Sequence, residues 1–238
     1  RATDVQLNKT GLGVAGISTA THAEKGLVAI GTQDNKIQIR TIADGKIIKT
    51  LEGHTGPVKG VTFTKDGASV ISASEDKTVR VWAIATGKAT RTITAPAAAT
   101  AVVVNGAGTL IVSGHQDNII RTWPIATPTP IPEGGEKPVK ELKGHSQPIN
   151  ALAAISTSNA VVSGANDNTA RIWNLDSGAA TRSLNHGGPV VSVDCRADGT
   201  VIVTGSSNNT AKLWTAANGK QIVELRGHFP TKRSEALA

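Results

Sequence analysis

Serine, histidine and aspartate, the residue types of a hydrolase triad, occur in this sequence in a fixed order and at fixed intervals. His54 precedes Ser72 by 18 residues and Asp76 by 22, and the same two intervals recur further along the chain, starting at His145. If the three side chains touched, the histidine would activate the hydroxyl as a nucleophile. A catalytic set occurs once in an enzyme, so the recurrence favours a structural role for these residues.

Patterns that could bind a nucleotide or a metal ion are weaker. Residues 11–16 match the dinucleotide-binding fingerprint, and Asp34 follows at the distance of a ribose contact. That motif requires a helix to open within it, whereas here it falls in a turn between repeats. His22 and His115 have no ligand partner at useful spacing, and the single Cys195 excludes a zinc site built on paired cysteines. We expect no catalytic residue, no cofactor and no metal.

Five similar segments recur along the chain, and their periodicity predicts the fold. Each begins with Asp or Asn at a turn, and four of the five end on Trp six residues later. The segments are Asp34–Arg40, Asp76–Trp82, Asp117–Trp123, Asp167–Trp173 and Asn208–Trp214. Their last residues are 42, 41, 50 and 41 positions apart. The long interval contains a proline-rich insertion, residues 127–138, which cannot pair in a sheet and is predicted to be an exposed loop.

Two other markers are in phase with these segments. A histidine lies 22 residues before the turn residue at His54, His145 and His186, whereas Leu12 and Ala95 stand there in the other two repeats. A Ser or Thr lies four residues before the turn residue in four of the repeats. Three markers in one register indicate a true structural repeat.

Each repeat reads as four short strands separated by turn signals. In the second repeat the β-rich stretches are Val58 to Phe63, Ser69 to Ser74, Thr78 to Ile84 and Ala89 to Ile93. Four strands in about 41 residues predict one small antiparallel sheet per repeat. Such a sheet has two apolar faces and cannot bury both alone, so consecutive sheets must stack.

The combination of Gly-His, then Ser or Thr, then a turn Asp, then Trp resembles the WD-repeat family over about residues 11–228. The resemblance implies an all-β fold, a β-propeller of four-stranded antiparallel blades. The Asp that follows Trp in the family's name is absent, and the residues in its place are Ala83, Pro124, Asn174 and Thr215.

Five blades are visible, at about residues 11–52, 53–94, 95–143, 144–184 and 185–226. Members of the family most often close with seven blades, so we expect this chain to be part of a larger ring of about seven. A strand near Val5–Leu7 would belong to an earlier blade. Missing blades or a second chain would then complete the ring.

The resemblance also implies that His, Ser or Thr, the turn residue and Trp form a hydrogen-bonded tetrad in a blade. Carried over, the structural tetrads are His54, Ser72, Asp76 and Trp82; His145, Ser163, Asp167 and Trp173; and His186, Thr204, Asn208 and Trp214. The third tetrad is expected to be weaker, because Asn lacks the charge that strengthens a hydrogen bond to histidine.

Propellers of this family commonly bind partners on the face that carries the Gly-His loops and the Asp turns. Seven residues of this chain, which we call the polar rim, are expected there: Gln33, Lys59, Glu75, Gln116, Asn150, Asn166 and Ser207. The expected function is a non-catalytic scaffold for protein–protein interaction or assembly, with a protein or peptide partner. The alternatives are a nucleic-acid-associated propeller and an accessory propeller of a larger enzyme or complex.

Composition agrees with a binding module and disfavours two other classes. The 238 residues carry a formal net charge of +7, but Lys and Arg are dispersed and only four Trp and two Phe could stack on bases, so we do not expect a nucleic-acid partner. No stretch approaches 18 consecutive apolar residues, so no membrane span is expected. The sequence leaves the compartment open. Residues 229–238 are expected to leave the propeller and start a helix with Thr231 as N-cap, the alternative being a disordered tail.

Overall fold

The computed structural model describes residues 15–126 and 135–226, which form five four-stranded antiparallel sheets. Sheet 1 contains β1 (Gly16–His22), β2 (Leu27–Thr32), β3 (Ile37–Thr41) and β4 (Ile47–Leu51). Sheet 2 contains β5 (Val58–Phe63), β6 (Ser69–Ser74), β7 (Thr78–Ala83) and β8 (Lys88–Thr94). Sheet 3 contains β9 (Ala99–Val104), β10 (Leu110–His115), β11 (Ile120–Pro124) and β12 (Lys140–Leu142). Sheet 4 contains β13 (Ile149–Ile155), β14 (Ala160–Ala165), β15 (Thr169–Asn174) and β16 (Ala180–Asn185). Sheet 5 contains β17 (Val190–Cys195), β18 (Val201–Ser206), β19 (Thr210–Thr215) and β20 (Gln221–Arg226).

Each sheet is a meander in which every strand pairs with the one that follows it in the chain. Within the described ranges the only helical segment is a single 3₁₀ turn, Ala23–Lys25. The architecture is therefore that of β-propeller blades, as the resemblance implies. The strand near Val5–Leu7 and the segment 229–238 lie outside the described residues.

A left-handed residue fixes the turn between the second and third strands of every sheet. The residue after each turn Asp or Asn has a φ of 65–69°, and these residues are Asn35, Lys77, Asn118, Asn168 and Asn209. Asn tolerates this region better than most residues, because its short polar side chain can bond locally. The tight turn holds the side chain of the preceding Asp at one place on the edge of the sheet.

The hydrophobic core lies between consecutive sheets. We call the face of a sheet that packs against the following sheet its forward face, and the opposite one its rear face. Between sheets 1 and 2, for example, the forward-face residues Ile37 and Leu51 pack with the rear-face residues Val58, Val70 and Trp82. Three further clusters of the same kind join sheets 2 to 5 in order.

The first strand of each sheet packs against the first strand of the next, in the order β1, β5, β9, β13 and β17. Among the described residues, no packing of this extent joins β17 back to β1. The rear face of sheet 1 and the forward face of sheet 5 are accordingly the two ends of the stack.

The insertion in the third repeat was predicted to be an exposed loop, and in its described part, residues 135–138, one side chain is buried. Residues 127–134 lie outside the described ranges, but Glu136 forms an ion pair with Arg91 of β8, and the two side chains are 5% and 1% exposed. Arg91 also donates from Nη1 to the carbonyl oxygen of Pro124 at 2.7 Å. The described part of the insertion, residues 135–138, contains no strand, and its Glu136 side chain is nevertheless buried against Arg91 of the preceding sheet.

No helix in the described part of the chain has the length and apolar character needed to cross a membrane.

Candidate binding face and the hydrogen-bonded sets beneath it

Two of the expected tetrads are brought together in full. In sheet 2, His54 Nδ1 donates to Asp76 Oδ2 at 2.7 Å, and Ser72 Oγ donates to His54 Nε2 at 2.7 Å. The indole Nε1 of Trp82 donates to Ser72 Oγ at 2.8 Å. The four side chains thus form one chain of hydrogen bonds, in which each proton has an acceptor.

Sheet 4 repeats this geometry. The His145–Asp167 and His145–Ser163 distances are again 2.7 Å, and Trp173 donates to Ser163 at 2.8 Å. In both sheets the histidine comes from the loop before the first strand, and the Ser, Asp and Trp come from the second strand, the turn and the third strand. The tetrad therefore ties four segments of one blade together.

In sheets 2 and 4 a threonine two residues after the turn Asp belongs to the same network, and it was not among the residues expected from the sequence. Thr78 Oγ1 donates to Asp76 Oδ1 at 2.7 Å, and the backbone N–H of Thr55 donates to Asp76 Oδ2 at 3.0 Å. Burial alone would raise the pKa of the Asp76 carboxyl, but hydrogen bonds from His54, Thr78 and Thr55 hold that pKa well below its usual value. Asp76 is therefore an anion at neutral pH, and its two oxygens accept hydrogen bonds from the His54 ring, the Thr78 hydroxyl and the Thr55 N–H.

The pKa of Asp167 is lowered in the same way. Burial opposes the shift, and hydrogen bonds from Thr169, His145 and the Ser146 N–H outweigh it. Burial lowers the pKa of His145, although Asp167 acts to raise it. The lowered pKa keeps the imidazole neutral. A neutral imidazole with its proton on Nδ1 is the tautomer that this arrangement needs.

The Ser–His–Asp geometry resembles a catalytic triad, but the hydroxyl is not accessible. Ser72 and Ser163 are both 0% exposed. Each hydroxyl already donates to a histidine and accepts from an indole, so neither is free to approach a substrate. The arrangement satisfies buried polar groups rather than presenting a nucleophile.

The third tetrad forms with a different member, which corrects the expectation for Asn208. His186 Nδ1 accepts from Thr204 Oγ1 at 2.8 Å, and Trp214 Nε1 donates to the same oxygen at 2.8 Å. The other ring nitrogen, Nε2, donates to Thr210 Oγ1 at 2.9 Å, and Thr210 in turn donates to Asn208 Oδ1 at 2.7 Å. Asn208 offers no charged acceptor, so the imidazole binds the adjacent threonine and reaches Asn208 only through it.

Sheet 3 has no loop histidine at Ala95, and His115 supplies an imidazole from within a strand instead. Ser113 Oγ donates to His115 Nε2 at 2.8 Å, and Trp123 Nε1 donates to Ser113 Oγ at 2.9 Å. His115 Nδ1 donates to the carbonyl oxygen of Ala97 at 3.2 Å, where the histidines of sheets 2 and 4 use a carboxylate. Burial lowers the pKa of His115 to about 4. The sequence signal was a histidine two residues after the marker serine, in one of the two repeats that lack the loop histidine.

With His115 in that place, Asp117 has a different partner. Arg121 donates from Nη2 to Asp117 Oδ2 at 2.7 Å and from Nε to Glu141 Oε1 at 3.2 Å. The Arg121 side chain is 3% exposed. Sheet 3 thus keeps the serine–tryptophan bond and replaces the histidine–aspartate bond with an arginine clamp between the turn and β12.

In sheet 2, the glycine before the loop histidine makes room for a cation on the tryptophan. Gly53 has a φ of +143°, and a Cβ there would lie 3.0 Å from Nη1 of Arg80 and 3.4 Å from Trp82. The guanidinium carbon of Arg80 lies 5.8 Å from the centre of the Trp82 ring, a cation–π distance. Lys212 has the same relation to Trp214.

The predicted polar rim lies on the edge of the sheets that carries the Asp turns. Gln33, Glu75, Gln116 and Ser207 are exposed there, directly before the turn residue. Lys59 and Asn150 are the extra residues of β-bulges in β5 and β13, and bulges re-aim a side chain out of the sheet. Lys59 Nζ lies 3.5 Å from Glu75 Oε1, Asn150 Nδ2 donates to Asn166 Oδ1 at 2.7 Å, and Asn150 Nδ2 also donates to the Val190 carbonyl oxygen at 2.9 Å.

The Asn150 bond to Val190 therefore joins sheet 4 to sheet 5. Asn150 and Asn166 are both partly exposed to solvent. The remaining rim residues have charged and polar atoms free for contact at the surface. The rim is nearly neutral, since Lys59 and Glu75 offset each other.

The other candidate residues have structural surroundings. Gly16 begins β1, and residues 11–14 of the fingerprint lie outside the described ranges. Cys195 is half-buried, donates to the Ala154 carbonyl oxygen at 2.9 Å, and has its thiol pKa raised by burial. In the described portions, no three His, Cys, Asp or Glu side chains are grouped so that they could hold a metal ion.

Comparison with known proteins identifies the repeat. The family model described as "WD domain, G-beta repeat" matches residues 45–83, 136–174 and 178–215. Each matched region contains the turn residue and the tryptophan of one tetrad.

Curated relatives match over short regions. An uncharacterized WD repeat-containing protein of Synechocystis is 41% identical over 61 residues, covering 25% of this chain and 18% of the relative. Serine-threonine kinase receptor-associated protein of Bos taurus is 37% identical over 71 residues, 30% of this chain and 20% of its own length. Nuclear distribution protein nudF of Aspergillus niger is 37% identical over 76 residues, 31% of this chain and 17% of its own length. The matched region is thus a fifth or less of each of these relatives.

Proposed function

This chain is a member of the WD-repeat family, and on that premise we propose that it is a non-catalytic scaffold whose polar rim binds a protein or peptide partner. Proteins with such repeats generally mediate protein–protein interaction. The observation that carries the proposal is the contrast between the two groups of polar residues. The histidines and hydroxyls of the tetrads are buried inside the blades, whereas Gln33, Glu75 and Gln116 are exposed on tight turns.

The geometry of the rim supports a binding role because its side chains start from rigid backbone. The turn residues are fixed by the left-handed residue that follows them, and Lys59 is fixed by a bulge. A surface that is already ordered loses little conformational entropy when a partner binds.

The chemistry of the rim supports an extended peptide as the partner. Amide and hydroxyl groups can both donate to and accept from a peptide backbone. The rim lacks Trp, Tyr and Arg, the residues that dominate strong hot spots, so the affinity at this face is expected to be modest.

A site-specific cross-linking experiment tests the proposal. A photoreactive amino acid would replace Gln116 on the rim in one variant and Thr86, exposed on the opposite edge of the sheets, in a matched control. With extract of the source cells, we expect a discrete protein adduct through position 116 and none through position 86.

A charge-reversal variant completes the test. Glu75→Lys combined with Gln116→Arg is expected to reduce the yield of that adduct, formed through a photoreactive group at position 33, at least tenfold while leaving the melting temperature unchanged. Adducts formed only through position 86, or insensitive to the charge reversal, would place the binding surface elsewhere.

A further inference from the structure

Sheets 1 to 4 carry a basic residue at the same position of the fourth strand. In each sheet this residue pairs with the third-strand residue that precedes the tryptophan position, and the four are Lys49, Arg91, Lys140 and Arg182. Lys49 Nζ donates to the carbonyl oxygen of Ala85 at 3.4 Å, and Arg182 Nη2 donates to that of Ala217 at 2.8 Å. Both acceptors lie in the turn between the third and fourth strands of the next sheet, so these side chains cross the junctions between sheets.

At the junction of sheets 2 and 3, a carboxylate from the insertion binds this basic residue. Arg91 Nε donates to Glu136 Oε1 at 2.9 Å and Nη2 donates to the other carboxylate oxygen, so the contact is bidentate. Nη1 is left to bind the next sheet, where it donates to the carbonyl oxygen of Pro124 at 2.7 Å. Residues 135–138, which supply the glutamate, form no strand. This junction therefore holds an irregular acidic segment through one guanidinium group.

The junction of sheets 4 and 5 has the equivalent arginine without a carboxylate. Arg182 is exposed, and none of the ion pairs in the described ranges includes it. Its Nη1 donates to the carbonyl oxygen of Thr181 at 2.6 Å, and its Nη2 donates to Ala217. A guanidinium has five N–H groups, so within the described ranges three remain available for a ligand.

A cleft of about 620 Å³ opens beside Arg182, between sheets 4 and 5. Ile155 and Ile172 of sheet 4 and Ala216 of sheet 5 give it apolar walls. Among the described residues that line it, Arg182 is the one that carries a charge. Apolar walls with one cation suit an anionic group that is carried on a larger molecule better than a free inorganic anion.

Two acidic side chains border the cleft, and both already have hydrogen-bond partners. Asp176 Oδ1 accepts from Asn159 Nδ2 at 2.7 Å, and Asp198 Oδ1 accepts from Thr200 Oγ1 at 2.6 Å. Neither forms an ion pair with Arg182, so the guanidinium keeps its positive charge toward the cleft.

The cleft is separate from the polar rim. It includes the turn between β13 and β14 and the turn between β19 and β20, whereas the rim lies beside the turns between second and third strands. These two kinds of turn are at opposite edges of an antiparallel sheet. A molecule bound in the cleft would therefore leave the rim free.

We propose that this cleft is a second binding site, which takes an irregular, extended segment of a partner protein and pairs a glutamate of that segment with Arg182. The Arg91–Glu136 contact is the template, because the two arginines have the same place in their sheets and both bind the following sheet. At the template the chain supplies its own acidic segment, and at Arg182 the partner supplies it.

A peptide copied from the template tests the proposal. The probe is a fluorescein-labelled peptide of residues 130–139, and its matched control has Glu136→Gln. By fluorescence anisotropy we expect the full-length chain to bind the probe with a Kd of about 0.1–1 mM, and the control at least tenfold more weakly.

Protein variants locate the binding. Arg182→Gln should weaken binding of the probe at least tenfold and should not weaken binding of the control peptide further. Arg182→Lys should lose most of the affinity as well, since an ammonium keeps the charge but lacks the planar fork. Arg226→Gln, a change at an exposed arginine of β20, is the control and should leave binding unchanged.

Four results would overturn the proposal. Two are equal binding of both peptides and the absence of saturable binding. A third is binding that survives Arg182→Gln. The fourth is displacement of the probe by inorganic phosphate at a concentration near the Kd of the probe, which would show a site for a free anion.

The chain's own acidic residues outside the described ranges need a separate variant. Asp4, Glu133 and Glu235 are replaced together by the corresponding amides. Unchanged binding of the probe supports a partner as the occupant. Binding at least tenfold tighter would show that a segment of this chain occupies the cleft, and would contradict the assignment to a partner.

Discussion

At the scale of single residues, the tetrad shows that the residue types of a catalytic triad can form a purely structural network. His54, Ser72 and Asp76 have triad-like distances, but the Ser72 hydroxyl also accepts a hydrogen bond from the Trp82 indole. What decides the role is access to solvent, since a nucleophile must meet a substrate and Ser72 is fully buried.

Removing the carboxylate from one tetrad should destabilise the fold. Asp76→Ala leaves the His54 imidazole and the Thr55 N–H without their acceptor, and a buried polar group left unpaired costs about 1–3 kcal/mol. Urea unfolding at pH 7 measures the free energy of unfolding. Glu24→Ala, a change at an exposed carboxylate, is the control and should stay within about 0.5 kcal/mol of the original chain. An unchanged unfolding midpoint for Asp76→Ala would mean that the network does not stabilise the blade.

His115 should make the stability of the chain depend on pH. Its pKa is about 4 in the folded state and about 6.5 when exposed, so between these values the unfolded chain binds a proton that the folded chain does not. Stability is therefore complete above pH 6.5 and falls as the pH decreases. Lowering the pH from 7.5 to 5 should remove about 2 kcal/mol through this residue. His145 and His186, whose pKa values are also lowered by burial, should add to the loss.

Comparing unfolding at the two pH values in the original chain and in His115→Gln isolates this contribution. The variant is expected to be less stable at pH 7.5 but to lose less on acidification. If both proteins lose the same amount, the imidazole of His115 is not the group that titrates.

Which tetrad residues the sequence could predict depended on how local the determining contact is. The positions of Ser72 and Trp82 followed from the fixed spacing of the repeat, and their role followed from the resemblance to the WD-repeat family. The choice of acceptor by His186 did not, because it depends on a competition between Asn208 and Thr210 that only the geometry resolves. His115 escaped prediction for the same reason, since its Nδ1 partner is a backbone carbonyl and leaves no side-chain signature.

At the scale of elements, the turn signals and the alternation of apolar residues predicted the strands well. The predicted stretches Val58 to Phe63 and Ser69 to Ser74 coincide with β5 and β6. In the insertion, the same local signals could not predict which side chain is buried. Composition indicated a loop without strand pairing, but the burial of Glu136 depends on Arg91, which lies 45 residues away in the chain.

The Arg91–Glu136 pair should show strong coupling in a double-mutant cycle. Each side chain alone would be a buried charge without a partner, and such a change typically costs about 3–5 kcal/mol. The single variants Arg91→Met and Glu136→Leu are therefore expected to be less stable than the double variant, as measured by urea unfolding. A double variant whose loss equals the sum of the two single losses would show that the pair is not coupled. The exposed pair Lys36–Glu52, with side chains 43% and 65% exposed, is a suitable control and should show little coupling.

At the scale of the whole molecule, the stack of sheets has a direction. Every internal junction combines a forward face with a rear face of matching size, so the sheets follow one another in a single order. Sequence periodicity predicted the number of sheets and their stacking, because each repeat is one unit that cannot bury both faces alone. It could not predict which end is apolar, since that depends on the side chains that replace the repeat's usual residues in sheet 1.

The polar rear face of sheet 1 has a consequence for assembly. Subunits that carry complementary surfaces at opposite ends can add to one another without limit, and unless the rotation closes a ring the product is a fibre. In this molecule the forward face of sheet 5 exposes apolar side chains around Leu225. The rear face of sheet 1 presents the hydroxyls of Thr19 and Thr21 and the guanidinium of Arg40. Among the described residues the two ends of the stack therefore differ in chemistry, and head-to-tail addition of a second copy would bury Thr19, Thr21 and Arg40 against the apolar side chains around Leu225, which costs free energy where those polar groups find no partner.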